Sequence, residues 1–284
     1  MNKDKTVAFL DLLAFSNYVR KNTLDALKLF ENYNNVITTK ITDEKIKPSS
    51  DYSDSSLRKL AEKTSINSFE YFIPFSDSVF ISFENPNKFI KQVSSFVIGC
   101  FKLTSNEYMN PVDNSRPDKV KTKSPKINNN GEVEMEDKFE IWYPTLFRGG
   151  ISFGEAYPIK LVSIFDYKPT TVQNLAGKSV VNAVKLEEQV KGPLIICDES
   201  VYNVLDANIK FFLKKIDDKK IYKILWPAFY YIENNGKSEI SKFDDFFKPA
   251  VKFWKANNHK PYSIHYFNFL KFLILIPTYL LLLI

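Results

Sequence analysis

The stretch FIPFSDSVFISF, Phe72–Phe83, decides the fold. Most of it is apolar or aromatic. With the FEY before it, it reads as two strands around a tight turn at Ser76-Asp77. A carboxylate among buried-looking residues is costly unless something pairs with it. Asp11 has a similar setting near the end of the β-rich apolar run TVAFLDLLAF, Thr6–Phe15. If the two strands are neighbours, Asp11 and Asp77 come close together. Two such carboxylates repel each other and raise one pKa. A divalent cation removes the conflict, and magnesium favours carboxylates plus substrate phosphates. Two such ions can activate a hydroxyl and stabilise a leaving pyrophosphate. The pair therefore reads either as a metal site for a nucleoside triphosphate or as two local turn formers, since Asp commonly hydrogen-bonds its own backbone in turns.

Outward from this hairpin the periodicity changes. Thr23–Ile41 carries Leu24, Leu27, Phe30, Val36 and Ile37 at helical spacing. Residues 42–66 are polar and serine-rich and read as an excursion. Asn85-Pro86 marks a helix start, with Phe89, Ile90, Val93, Phe96, Val97, Cys100 and Phe101 on one face. Residues 110–138 read as an exposed, disordered insertion, and the lysines of 119–126 as a solvated loop. Leu146–Tyr157 reads as a strand, Gly177–Val190 as a helix, Pro193–Asp198 as a strand, and residues 199–205 as a short helix. KIYKILWPAFYYIE then reads as a further strand. The order β–α–β–β–α–β–α–β predicts an α+β fold with helices on one face of a sheet.

The 284-residue chain is long enough for a sizeable core. Its net charge of +6 tolerates an anionic ligand. With only Arg20, Arg58, Arg116 and Arg148 beside many lysines, no nucleic-acid groove is expected. Two cysteines and two histidines exclude a disulfide framework, a zinc cluster and a His-based triad. No signal peptide is expected, and the expected compartment is a reducing cytoplasm. The apolar C-terminus, Phe267–Ile284, is interrupted by Asn268, Lys271 and Pro277. It reads as a buried amphipathic helix with a greasy tail, or as a membrane-docking segment. The domain division expected is 1–260, with 261–284 as a hydrophobic C-terminal helix.

FLDLLAFS, FSDSVFIS, FRGGISFGE and GKSVVNAVKLEE occur in the order seen in class III nucleotide cyclases, which the chain resembles over roughly residues 6–235. It looks most like the bacterial branch used in antiphage defence, the pyrimidine cyclases of the Pycsar systems. The resemblance implies a ferredoxin-like, palm-like βαββαβ core with a mixed, mainly antiparallel sheet. It implies a homodimer with active sites at the interface. There the 3′-hydroxyl of a nucleoside triphosphate, UTP or CTP, attacks the α-phosphate to give a 3′,5′-cyclic nucleotide and pyrophosphate. The product would act on a separate effector protein.

The resemblance places two Mg²⁺ or Mn²⁺ ions on Asp11 and Asp77, with the carbonyl of Leu12 as a further ligand. It places Phe15 and Ser16 in the phosphate loop, and Ser76 and Asn182 beside the substrate. The familiar enzymes carry an Asn and an Arg four residues apart on the helix before the LE pair. Here Val181 and Lys185 stand at those positions, and Asn182 is one place off. Lysine supplies positive charge but no bidentate fork. Arg148 is the other candidate for offsetting phosphate charge, or else a structural ion-pair partner. Glu187 and Glu188 read as a solvated face, with Glu187 reaching Lys191. The departure leaves a second reading open, a cyclase-like dimerisation or nucleotide-binding module without turnover.

Overall fold

A computed structural model describes residues 4–13, 15–24, 26–31, 33, 34, 37, 69–105, 119–141, 145–216, 219–232, 244–259 and 263–281. The expected excursion at 42–66 lies outside them. Strand β1 (Asp4–Leu12) is the centre of the fold. After it come α1 (Phe15–Lys21) and further helical residues among 23–37. The hairpin β2 (Tyr71–Phe75) and β3 (Ser78–Phe83) turns at Ser76, whose φ of 54° lies in the left-handed region. Helix α2 (Pro86–Ser105) starts where expected: Asn85 Oδ1 accepts from Lys88 N at 3.0 Å, and Pro86 follows the cap.

Strand β6 (Phe147–Glu155) leads to α3 (Lys178–Glu187) and β9 (Ile195–Asp198). Helices α4 (Glu199–Val204) and α5 (Ala207–Lys210) and strands β10 (Leu213–Lys215) and β11 (Ile221–Ile224) follow. The chain ends in α6 (Ala228–Ile232), α7 (Asp244–Asn257) and α8 (Ser263–Leu281). The seven-stranded sheet runs β10-β11-β9-β6-β1-β3-β2, with β6 and β9 parallel and every other pair antiparallel. The fold is α+β, as expected.

Helices cover both faces of the sheet, not one. Along β1 the side chains alternate, as a strand requires. Val7 and Phe9 pack toward Val180 and Ala183 of α3. Ala8, Leu10 and Leu12 pack toward Phe89, Val93, Phe96 and Val97 of α2. A central strand buried on both sides needs cover on both sides.

Three further expectations are corrected. Residues 119–141 are a two-stranded ribbon, β4 (Lys119–Ile127) with β5 (Val133–Ile141), rather than a loop. Lys126 of β4 stands opposite Glu134 in register, and its Nζ lies 3.2 Å from Glu136 Oε2. KIYKILWPAFYYIE is strand only over Ile221–Ile224; Trp226 then turns inward and α6 follows. A second ribbon, β7 (Tyr157–Phe165) with β8 (Lys168–Ala176), is the third difference, since residues 158–176 carried no element in the sequence reading. Its two-residue turn, Asp166-Tyr167, has φ of 50° and 61°, as a tight hairpin turn demands.

Helix α8 belongs to the main core. It buries Tyr266, Phe269, Phe272, Leu273 and Ile276. Phe269 stacks on Trp226 at 6.0 Å, and the Trp226 indole N–H donates to Pro193 O at 3.2 Å. Among the described residues, no helix is long and apolar enough to cross a membrane.

Candidate active site

The site lies where β1, the β2–β3 turn, β6 and α3 meet. Register sets it up: Asp11 stands opposite Ser78 on one side and opposite Arg148 on the other. The N–H of Leu12 donates to Asp77 O at 2.9 Å, which ties the hairpin tip to the end of the central strand.

Both Asp11 oxygens are engaged. Ser78 Oγ donates to Oδ1 at 2.8 Å. Arg148 Nε donates to Oδ2 at 3.0 Å, and Nη2 lies 2.9 Å from the same oxygen. Burial pushes the Asp11 carboxyl above its usual range; the Ser78 and Arg148 contacts pull it down, and the charge of Asp77 pushes it further up. Asp11 and Asp77 are thus within electrostatic reach of each other. Among the described residues no hydrogen bond or ion pair engages the Asp77 carboxylate, which is half-buried at the tip.

Glu187 was read as a solvated residue, and the structure corrects this. It is 4% exposed and its Oε1 forms an ion pair with Arg148 Nε. The missed signal was the neighbouring glycine. Gly150 lets α3 lie directly on the β6 backbone: a Cβ there would stand 2.5 Å from Leu186 Cβ and 2.8 Å from Glu187 N. That close approach turns Glu187 inward beside Arg148. Burial pushes its carboxyl up to about 7, against the pull of Arg148. His265 of α8 is near enough for the Arg148 and Lys191 charges to add to burial in lowering its pKa.

The residues expected at a site fall into two groups. Asp11, Leu12, Ser76, Asp77 and Arg148 gather at this one end of the sheet. Phe15 packs its ring toward Phe30 at 6.0 Å, in the core, and Ser16 is exposed on α1. On α3, Lys185 is exposed and Asn182 half-buried, while the helix packs inward through Ser179, Val180, Ala183, Leu186 and Glu187.

The donor set suits a hard cation. Asp11 and Glu187 both hold the Arg148 guanidinium, the charge of Asp77 acts on Asp11, and a divalent ion would offset negative charge there. Among the described residues there is no group of three His, Cys, Asp or Glu side chains that could hold a metal. Two carboxylates would therefore hold an ion together with backbone carbonyl, water and substrate oxygens, the mode magnesium favours.

No family model and no curated protein matches the chain by sequence. In backbone course it is similar to the adenylyl cyclase CyaB from P. aeruginosa, at 14% identity and a TM-score of 0.45, covering 78% of this chain and 93% of that one. It is also similar to the non-canonical dimeric guanylyl cyclase domain of the RhoGC fusion protein from the aquatic fungus Blastocladiella emersonii (14%, TM-score 0.42, 78% and 96%). A third is the guanylate cyclase domain of RhGC from Catenaria anguillulae in complex with GTP (15%, TM-score 0.41, 78% and 96%).

Proposed function

We propose that the protein is a nucleotide cyclase that converts a nucleoside triphosphate, UTP or CTP, to a 3′,5′-cyclic nucleotide and pyrophosphate. The observation that carries the reading is the meeting of Asp11 and Asp77 at the ends of adjacent strands, with one carboxylate unengaged among the described residues and the other held by an arginine. Asp11 and Asp77, with the Leu12 carbonyl, would hold Mg²⁺ or Mn²⁺. Such ions supply charge for the phosphates and lower the pKa of the attacking hydroxyl. Arg148, at the rim with its side chain 32% exposed, supplies a fixed positive charge facing the same space. Ser76 and the Phe15-Ser16 segment border the triphosphate in this reading, and Asn182 the ribose.

Lys185 is exposed on α3, and in this reading a second copy of the chain brings it to the phosphates across a homodimer interface. The cyclic product acts on a separate effector in antiphage defence, in the cytoplasm. The exposed Val181 and Lys185, in place of an Asn and Arg pair, favour the second reading, a nucleotide-binding module without turnover.

Incubation of the purified protein with each of the four NTPs and Mn²⁺, followed by chromatography, separates the two. A cyclic pyrimidine nucleotide is expected, and its loss in Asp77→Ala with an unchanged melting curve. No product from any NTP with an intact dimer would overturn the enzyme reading.

A further inference from the structure

Arg148 is shared by two carboxylates that it cannot serve equally. Its single Nε–H is aligned on Asp11 Oδ2. Glu187 Oε1 also lies against Nε, yet among the described residues this buried oxygen has no aligned hydrogen bond. A buried carboxylate oxygen without an aligned donor is a high-energy acceptor, and the guanidinium beside it is the donor that would relieve it. A small turn of Arg148 toward α3 would satisfy Glu187 and uncover Asp11 Oδ2. The Arg148 side chain is 32% exposed, so it is not locked in a closed core. Glu187 itself is fixed, because Gly150 seats α3 on the strand that carries Arg148.

We propose that Glu187 is a positioning residue that receives the Arg148 guanidinium when a divalent cation takes its place on Asp11. This rests on the reading of Asp11 and Asp77 as cation ligands. In the form described, Arg148 fills one Asp11 oxygen and thereby opposes the cation. Glu187 lowers that opposition by giving Arg148 a second carboxylate partner in place of the one it leaves. Without the Glu187 charge, a cation arriving at Asp11 would strand the guanidinium beside a neutral side chain.

The test is Mn²⁺ binding by the full chain without nucleotide, followed by the electron paramagnetic resonance of free Mn²⁺. Glu187→Gln, which keeps the shape, is expected to weaken Mn²⁺ binding by about tenfold, the scale seen when a residue supporting a metal ligand is lost. In an Arg148→Gln background the same change is expected to matter less than about twofold, because the guanidinium it receives is gone. Equal weakening in both backgrounds would mean that Glu187 acts only by its charge through space, and would overturn the proposal. So would unchanged binding in the single variant. If Arg148→Gln does not fold, Glu187→Asp replaces it: weakening supports the handover, and unchanged binding favours simple charge and overturns it. Wild-type protein that binds no Mn²⁺, or binds it equally well as Asp77→Ala, would remove the cation site and the handover together. Loss in Asp77→Ala with no effect of Glu187→Gln would remove the handover alone.

Discussion

Gly150→Ala is the sharpest test of how the site is built. A Cβ at residue 150 would stand 2.5 Å from Leu186 Cβ and 2.8 Å from Glu187 N, with Ala183 O nearer still, whereas ordinary contact begins at 3.4 Å. The neighbours are mainly backbone, so no rotamer change relieves the clash. Helix α3 must lift by about 1 Å along its middle, and overpacking of this kind costs about 1–3 kcal/mol. For a chain of this size each kcal/mol lowers the melting temperature by roughly 2–4 °C. A fall of about 2–12 °C is expected by circular dichroism. Because the lift draws Glu187 from Arg148, cyclic-nucleotide formation should fall further than stability does. A variant that melts within about 1 °C of wild type, with unchanged product formation, would refute the claim that this glycine seats the helix and sets the ion pair.

Other outcomes follow from the same geometry. Glu187 titrates near 7 in the fold but near its ordinary 4.5 when unfolded. The folded state thus holds the proton more tightly, and stability present at acid pH is lost as pH rises through that window. The loss is on the order of 3 kcal/mol, since each pKa unit is worth about 1.4 kcal/mol; denaturant melts at pH 4.5 and 7.5 should differ less in Glu187→Gln than in wild type. Truncation before Ser263 uncovers the seat of Phe269, Phe272, Leu273 and Ile276, each worth roughly 1.5–3 kcal/mol of burial. Insoluble protein is expected, and a truncated chain that is folded and more soluble than full length would contradict the packing of α8. Lys5 is 5% exposed and its Nζ donates to both Glu70 oxygens at 2.7 Å. Lys5→Ala strands Glu70 and should cost about 3 kcal/mol in urea melts; a shift under about 0.5 kcal/mol would show the pair to be solvated.

The hairpin was legible because its apolar strands and Ser-Asp turn carry local signals, and register then put Ser78 beside Asp11. The start of α2 was legible from Asn85-Pro86 for the same local reason. The two ribbons were not: β4 is dominated by lysine, β7 leaves Leu161, Val162 and Ile164 exposed, and each pairs only with its own neighbour, so neither carries the buried alternation that marks a sheet strand. Cover on both sheet faces was hidden because α2 and α3 each read as a one-sided apolar helix, and neither periodicity says which face of β1 the helix takes. Glu187 was misread because charged helix residues are ordinarily solvated, and its burial is dictated by a glycine 37 positions earlier on another element. Arg148 stood open between an ion pair and a catalytic role, and the structure places it in an ion pair with two carboxylates at the site itself.

The β7–β8 ribbon leaves the sheet straight after β6 and returns straight into α3, through the N-cap Gly177, whose φ of 148° and close approach to Glu155 O exclude a Cβ. Mechanically it is a crank handle. Its outer turn, with Tyr167 96% exposed, is separated from that glycine by the 9 residues of β8, and the glycine leads directly into the helix that carries Glu187. At its base Ala156 and Leu175 pack with Val7, Val180 and Ala183, so the handle is bedded in the same apolar cluster that holds α3 to the sheet.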